Sequence, residues 1–303
     1  MDFRKASINC GKINGVDGSS YSMETETLKK DDDLTIYTEL EPFVNHSVYA
    51  NIVATLSAAG CVFAEDEARL LISAARTPAE LTVMMERRAA GLPLEHAIGW
   101  AEFCGIRIEV DQGVFVPRRR TELLVRQAAT LAMPGDVLVD LCCGTGAVGY
   151  AVAKVLEDFE LYAVDIDPAA VRCARRNITC IGGHVYEGDL YEPLPATLQG
   201  QVNILVANAP YVPTGVIGLL PQEARIYEAR VALDGGTDGL DIQRRVAAAA
   251  ALWLAPGGHL LVETSERQAL KTFEIFAQNG LITQMEHYEE LDATVVIGTR
   301  AQE

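Results

Sequence analysis

The chain has 303 residues, of which 49% are hydrophobic and 22% are charged, a composition typical of ordinary globular proteins. Its formal net charge of −17 creates a field that repels phosphate backbones and anionic lipid, which disfavours duplex nucleic acid and membranes as partners. The longest apolar run, residues 246–255, is half of the ~20 residues that a membrane span needs, and the polar N-terminus lacks a signal-peptide core, so we predict a cytoplasmic protein.

The first predicted segments are an extension and a small helical domain. Residues 1–40 are rich in Gly, Ser, Asn, Lys and Asp without a sustained period, which predicts a mobile N-terminal extension. Apolar residues then recur at helical spacing within 41–95, with interruptions at Gly60 and Thr77 that are typical of helix junctions. We therefore predict a helical domain over residues 41–95.

Residues 96–120 are predicted to form a β-hairpin that links two domains. Apolar and charged residues alternate from 106 to 110, as in a half-buried strand. Residues 111–113, with the sequence Asp-Gln-Gly, are predicted to be the turn before a second apolar run at 114–116. The hairpin is thus expected to pair these two runs.

Residues 121–303 alternate apolar runs with helical stretches, which is typical of a parallel sheet with helices on both faces. The predicted fold class is therefore α/β, a doubly wound seven-stranded Rossmann-like sheet. The predicted strands are 136–141, 161–165, 184–187, 204–207, 259–263, 285–288 and 293–297. The predicted helices between them are 147–156, 168–180, 239–254 and 266–278. Ligands of such sheets bind beyond the carboxyl ends of the strands.

A glycine-rich loop follows the first strand of this sheet. Asp140 ends the strand, and Gly144 and Gly146 precede a helix, so backbone can pass close to a ligand there. The loop also matches G-x-G-x-x-G, a weak signal for nicotinamide or flavin binding. However, a carboxylate at Asp140 would oppose a pyrophosphate and suits the ammonium group of a methionine moiety. Charge therefore favours S-adenosylmethionine as the cofactor.

Two further acids follow the next strands in order. Asp165 ends the second strand, where a carboxylate can accept hydrogen bonds from both hydroxyls of a ribose. Asp189 follows the third strand, where an adenine amino group would lie. Three strand-end acids in register predict an adenosyl site better than a glycine loop alone. The predicted cofactor-binding residues are Asp140, Cys142, Gly144, Gly146, Asp165, Ile166, Asp189, Leu190 and Asn208.

The most specific signal is the sequence Asn-Ala-Pro-Tyr at the end of the fourth strand. The side-chain carbonyl of Asn208 and the backbone carbonyl of Ala209 can accept both N–H bonds of a planar NH₂ group, while Tyr211 covers its face. Such a site orients nitrogen toward a sulfonium methyl. The predicted catalytic residues are Asn208, Ala209, Pro210 and Tyr211. The seven cysteines contain no C-x-x-C pair, and neither a disulfide scaffold nor a metal site is predicted.

These motifs together resemble the HemK/PrmC family of protein glutamine N5-methyltransferases. The family's Pro-Arg-Pro-x-Thr-Glu segment corresponds to residues 117–122, its glycine loop to 140–146, its Asn-Pro-Pro-Tyr box to 208–211 and its Glu-rich loop to 223–239. The resemblance implies a class I methyltransferase sheet and a release-factor glutamine as acceptor, with residues 41–95 recognising that substrate. The residues assigned to the substrate are Phe115, Arg118, Thr121, Glu122, Glu223 and Glu228.

Three departures from the family pattern leave the acceptor open. Ala209 replaces the first proline of the box, Cys142 replaces a loop glycine, and residues 119–120 are Arg-Arg instead of a proline and an acid. A small amino acid is therefore the alternative, such as free arginine, whose guanidinium would need Glu223 or Glu228 to help remove a proton. An adenine methyltransferase of nucleic acid and an NAD-dependent oxidoreductase are weaker alternatives, and the net charge argues against the former.

Overall fold

The computed structural model describes residues 44–156 and 158–302. The predicted N-terminal extension, residues 1–40, lies outside the described residues. The described part begins with helices, which confirm the helical periodicity of the sequence. They are α1 (His46–Ala58), α2 (Ala64–Ala74), α3 (Pro78–Ala89) and α4 (Leu94–Ile98). Gly60 allows the turn after α1 with a φ of 91°, and Thr77 caps α3 by accepting a hydrogen bond from the Glu80 N–H.

A hairpin follows, but it does not pair the predicted segments. Strand β1 (Trp100–Phe103) runs antiparallel to β2 (Ile106–Glu109), so the hairpin turn is Cys104-Gly105. Both turn residues have positive φ, which suits a tight two-residue hairpin connection. Residues 111–113 do form a turn, in which the Val114 N–H donates to the Asp111 carbonyl at 3.2 Å, but this turn does not connect the two paired strands. The prediction that residues 114–116 form the second strand was therefore wrong. The domain boundaries at residues 95 and 120 stay predictions.

The remaining elements build a seven-stranded α/β sheet, which confirms the predicted fold class. Its strands are β3 (Asp136–Leu141), β4 (Phe159–Asp165), β5 (His184–Glu187), β6 (Val202–Ala207), β7 (Leu254–Thr264), β8 (Ile282–Tyr288) and β9 (Ala293–Thr299). The helices are α5 (Glu122–Leu131), α6 (Ala147–Val155), α7 (Pro168–Ile178), α8 (Gln222–Tyr227), α9 (Asp241–Trp253) and α10 (Glu266–Gln278). The sequence prediction did not single out α5 or α8.

The strand order is β5-β4-β3-β6-β7-β9-β8. Strands β3 to β7 are parallel, whereas β9 runs antiparallel between β7 and β8, so the sheet is mostly and not wholly parallel. The connection from β8 to β9 spans only residues 289–292, which is too short for a parallel crossover. The strand order reverses direction at β3, between β4 and β6, and a ligand crevice is expected at that switch point.

Each face of the sheet carries its own hydrophobic core, because successive strand residues point to opposite faces. Leu138 of β3 packs with residues of α5, α6 and α7, whereas its neighbour Val139 packs with α9 and α10. This arrangement positions the strand ends rigidly. In the described ranges, we find no helix with the length and apolar character that crossing a membrane requires. The cytoplasmic location stays a prediction.

Candidate active site

A cavity of about 470 Å³ opens beyond the carboxyl ends of β3 to β6. Most residues predicted for the site line it, and their roles stay predictions. They are Phe115, Arg118, Thr121, Asp140, Cys142, Gly144, Asp165, Ile166, Asp189, Leu190, Asn208, Ala209, Pro210, Tyr211, Glu223 and Glu228. Gly146 and Glu122 are not among the lining residues. Topologically distant segments therefore converge on one cavity at the expected edge of the sheet.

The loop between β3 and α6 has three residues in the left-handed region, namely Cys142 and Gly144 with φ of 55° and Gly146 with φ of 77°. A Cβ at Gly144 would meet nothing within 4 Å, so this glycine leaves open space in the cavity wall. A Cβ at Gly146 would lie 2.5 Å from Ile178 of α7. Gly146 therefore permits close packing of α6 and α7, and its predicted contact with the cofactor stays a prediction.

Asp140 lies almost fully buried at the end of β3, and its Oδ2 accepts a hydrogen bond of 2.8 Å from the Gly149 N–H of α6. Burial raises the pKa of Asp140 to about 7 because a charged carboxylate loses its hydration there. A cation in the cavity would favour the ionised form. The position and charge of Asp140 therefore fit the ammonium group predicted for this subsite.

Asp165 ends β4 and is held by two backbone groups. Its Oδ2 accepts a bond of 2.8 Å from the Gly144 N–H, and its Oδ1 accepts one of 2.9 Å from the Asp167 N–H. Each carboxylate oxygen can accept a second hydrogen bond, so the pair of oxygens remains suited to a ribose diol. Ile166 is 52% exposed and lines the same cavity, where it offers an apolar surface to a flat ring.

Asp189 has a partner that the sequence analysis did not foresee. Its Oδ2 accepts a bond of 2.7 Å from Arg245 of α9, which also lines the cavity. The neighbouring Leu190 is buried and has a φ of 51°, so this turn is tightly folded. Asp189 retains lone pairs that could accept a bond from an adenine amino group, and it would then do so as part of an ion pair with Arg245.

The Asn-Ala-Pro-Tyr segment directly follows β6. Asn208 donates from Nδ2 to the Thr121 Oγ1 at 3.3 Å, which leaves its Oδ1 as an acceptor. Within the described residues, nothing donates a hydrogen bond to the carbonyl oxygen of Ala209. The Tyr211 hydroxyl donates to Glu263 Oε1 at 3.3 Å. The Asn208 Oδ1 and the Ala209 carbonyl oxygen therefore have no donor among the described residues, and their predicted role as acceptors for one NH₂ group stays a prediction.

The acids assigned to the substrate are already paired. Glu223 accepts a bond of 2.6 Å from Arg88 of α3, and the buried Glu228 binds both Arg118 and the Val116 N–H. Glu122 pairs with Arg126 along α5. Glu223 and Glu228 are therefore each engaged by an arginine, although Oε2 of Glu228 is buried without a partner among the described residues.

Sequence reasoning missed Glu263, the penultimate residue of β7. It is 2% exposed, and its Oε1 lies 3.3 Å from Nε of Arg120 as well as from the Tyr211 hydroxyl. An acid at the end of a predicted strand was the available signal, the same one that identified Asp140 and Asp165. Arg120, which departs from the family pattern, also places its guanidinium 5.7 Å from the centre of the Tyr211 ring.

Comparisons with known proteins show which families this chain is similar to. The family model "Methyltransferase small domain" matches residues 105–238. The release factor glutamine methyltransferase of Geobacter sulfurreducens is 38% identical over 199 residues, which are 65% of this chain and 69% of that protein. The same-named protein of Mycolicibacterium smegmatis is 38% identical over 66% of this chain and 71% of its own length.

Another relative, whose name gives a different substrate, matches a similar share of this chain. The 4-amino-L-phenylalanine/4-methylamino-L-phenylalanine methyltransferase of Streptomyces pristinaespiralis is 34% identical over 65% of this chain and 69% of that protein. Among solved structures, a methyltransferase from Pyrococcus furiosus superimposes with a TM-score of 0.51 at 15% identity, over 73% of this chain and 98% of that one. This structural likeness concerns the fold alone.

Proposed function

The chain belongs to the HemK/PrmC family of protein glutamine N5-methyltransferases, and we therefore propose that it methylates the side-chain amide of a glutamine in a protein such as a release factor. It is an S-adenosylmethionine-dependent N-methyltransferase. The cofactor supplies a methyl group that is already activated by its sulfonium. The carboxylates of Asp140 and Asp165 and the open space at Gly144 fit its ammonium and ribose groups.

The orientation of Asn208 is the observation that supports this proposal most directly. Because Nδ2 is engaged by Thr121, the amide oxygen of Asn208 is the group left to accept from a substrate NH₂. The Ala209 carbonyl provides the second acceptor. Together the two oxygens would orient the poorly nucleophilic amide nitrogen and stabilise the positive charge that develops on it.

The test is incubation with methyl-labelled S-adenosylmethionine and, in separate reactions, a release factor, free glutamine, free arginine and DNA. We expect label on a glutamine side chain of the release factor, located by mass spectrometry. Asn208→Ala is expected to lower kcat about 100- to 1,000-fold with unchanged cofactor affinity, since a preorganised polar contact to the reacting group is lost. Asn279→Ala, a change at the end of α10, is the control. Label in free amino acids alone would refute the protein-substrate proposal.

A free amino acid with a planar NH₂ group is the second candidate. It is favoured by Ala209, which lacks the ring of the family proline, and by the similarity to the Streptomyces pristinaespiralis methyltransferase. Arginine is the weakest member of this class, because Glu223 and Glu228 are bound to Arg88 and Arg118. Adding 4-amino-L-phenylalanine to the incubation series tests this candidate directly.

A further inference from the structure

The wall of the cavity carries charges of both signs, and they lie in different places. The carboxylates of Asp140 and Asp165 lie at the ends of β3 and β4, in the part of the cavity proposed for the cofactor. Arg118 and Arg120 line the same cavity from the loop that leads into α5. This loop thus brings two cations to the wall, although the chain as a whole has a net charge of −17.

Arg120 lies beside the Asn-Ala-Pro-Tyr segment. Its guanidinium carbon is 5.7 Å from the centre of the Tyr211 ring. The next residue along the chain, Thr121, accepts a hydrogen bond of 3.3 Å from Asn208. An acceptor whose NH₂ group binds at Asn208 therefore has Arg120 as a near neighbour of its remaining groups.

The guanidinium of Arg120 has donors that no described residue uses. Its ion pair with Glu263, 3.3 Å from Nε to Oε1, is the only polar contact that we find for it in the described ranges. The Arg120 side chain is 45% exposed and lines the cavity, whereas the Glu263 side chain is 3% exposed and does not. Nη1 and Nη2 form a planar fork of N–H donors, whose geometry matches the two oxygens of a carboxylate. The fork is therefore available to a ligand in the cavity.

The other arginines of the wall are already bound. Arg118 donates from Nη2 to the buried Oε1 of Glu228. Arg245 donates from Nη2 to Asp189 at 2.7 Å. Both forks are thus used at least in part, and Arg120 differs from these arginines in donating no hydrogen bond to a described residue.

We propose that Arg120 is a specificity-determining residue that binds a carboxylate of the acceptor through Nη1 and Nη2. In a free amino acid this group is the α-carboxylate, and in a protein it is an acidic side chain close to the methylated glutamine. The inference rests on the proposed transfer to a planar NH₂ group, and it adds a negative charge to the description of the acceptor. The net charge of the protein repels such an acceptor, and Arg120 compensates for this repulsion at the site.

The first test measures binding without methyl transfer. The protein is saturated with S-adenosylhomocysteine, and calorimetry compares 4-amino-L-phenylalanine and L-glutamine with their methyl esters, which lack the carboxylate. We expect the wild type to bind at least one acid about 10- to 100-fold more tightly than its ester, since a charge-assisted hydrogen bond is lost in the ester. Arg120→Met is expected to abolish this preference, and Arg120→Lys to keep part of it, because an ammonium is a point charge without a fork.

Arg119→Met is the matched control, because Arg119 is exposed and does not line the cavity. This variant is expected to keep the full preference for the acid. The affinity for S-adenosylhomocysteine, measured in every variant, is expected to stay unchanged and reports that the cofactor site is folded.

The second test distinguishes a protein carboxylate from that of a free amino acid. In a release factor, Asp and Glu residues within about 10 Å of the methylated glutamine, one Debye length at 0.1 M salt, are replaced by Asn and Gln. If the protein supplies the carboxylate, kcat/KM is expected to fall about tenfold with the wild-type enzyme and not with Arg120→Met.

The outcomes separate this inference from the proposed function. If the wild type methylates no acceptor but prefers an acid over its ester through Arg120, the proposed function fails and the carboxylate subsite stands. Absence of an Arg120-dependent preference in both tests would overturn the inference, even when a release factor is methylated. Arg120-dependent binding of deoxyadenosine 5′-monophosphate in place of both amino acids would also overturn it, because the cation would then serve a phosphate.

Discussion

Asp140 is the carboxyl group through which we expect protonation to affect cofactor binding. Burial raises its pKa to about 7 from the ordinary value of 3.8, and the Gly149 N–H only partly compensates. Because the folded-state pKa is raised, the ligand-free protein is expected to lose this group's share of stability as the pH rises from about 4 to about 7. A bound ammonium group reverses that preference, since it stabilises the ionised form.

The first prediction concerns this reversal. Affinity for S-adenosylmethionine is expected to increase as the pH rises toward 7 and to level off above it, with release of a proton on binding below pH 7. Calorimetry in two buffers of different ionisation enthalpy measures both quantities. Asp140→Asn should bind more weakly by about 1 to 3 kcal/mol and without the pH dependence. A wild-type affinity that stays constant across this range would contradict the assignment of Asp140.

The second prediction concerns the backbone strain at Cys142, a non-glycine residue with φ of 55°. Left-handed geometry is unfavourable for L-residues by about 1 to 2 kcal/mol. Replacing such a residue by glycine removes this strain, but it also makes the unfolded chain more flexible, which offsets part of the gain in stability. Cys142→Gly relieves this strain but also removes a side chain that packs against the core, so we expect the free energy of unfolding to change by less than ~1 kcal/mol. Gly144→Ala, at the same φ, should lower it by about 1 to 2 kcal/mol. Denaturant titration measures both, and equal effects of the two variants would refute the strain argument.

At the scale of elements, an ion pair links α3 to α8. Arg88 of α3 is 12% exposed and binds both Glu67 of α2 and Glu223 of α8, which belongs to the cavity wall. The Tyr227 hydroxyl of α8 also donates to the Ala90 carbonyl after α3. The helical segment thus supports one side of the cavity, even though none of its residues lines it.

The third prediction removes this support. Arg88→Met leaves two carboxylates without their common partner, so we expect a loss of about 1 to 3 kcal/mol of stability and a higher acceptor KM at unchanged cofactor affinity. Arg87→Met, a change at the exposed neighbouring residue of the same helix, is the matched control. An unchanged KM in a destabilised Arg88→Met protein would mean that α8 does not depend on this link.

Several elements could be predicted from the sequence because a local pattern determines them. The strand Asp136–Leu141 and the helix Glu266–Gln278 were predicted with their observed bounds, since an apolar run and a helical period mark each. The hairpin was mispredicted because the chain forms two turns in succession, and the local pattern does not tell which of them joins paired strands: residues 111–113 are a turn, but Cys104-Gly105 connects the hairpin. The antiparallel direction of β9 depends on pairing with β7, a distant strand, and the alternation of apolar runs carries no information about direction.

The candidate site, like the fold, could be predicted from the sequence only in part. Strand-end residues such as Asp165 and Asn208 could be predicted, because parallel strands bring their carboxyl ends to one edge. The partners of these residues could not be predicted. Arg245 reaches Asp189 from α9, and Glu263 meets Arg120 across 143 positions of sequence, contacts that exist only once the chain has folded.

At the scale of the whole molecule, the net charge of −17 affects which acceptors are attracted to the protein. Electrostatics of this sign favours a basic protein surface over nucleic acid. The helical segment also carries exposed apolar residues between α1 and α2, with Val62 at 85% and Phe63 at 70% exposure. If residues 41–95 recognise a protein substrate, as the family resemblance implies, these side chains are candidates for contact.

The fourth prediction tests that role. Replacing Val62 and Phe63 by Asp is expected to raise KM for a release factor about tenfold, as loss of an apolar contact at an interface does, without changing cofactor affinity. Leu270→Asp, at a 69% exposed position of α10, is the control for an added surface charge. Turnover of a free amino acid should not respond to either change. An unaltered release-factor KM would assign recognition to another surface.

The place of β9 between β7 and β8 governs the order in which the sheet can be assembled. During synthesis β8 leaves the ribosome before β9 and has no strand to pair with. Its backbone N–H and C=O groups therefore stay hydrogen-bonded to water until β9 has been synthesised. Strand β9 therefore has to enter between β7 and β8 rather than pair with the edge of a finished sheet. A nascent chain that pauses before residue 293 would leave one edge of β7 and both edges of β8 unpaired, and it is expected to be the species most prone to aggregation and most dependent on chaperones.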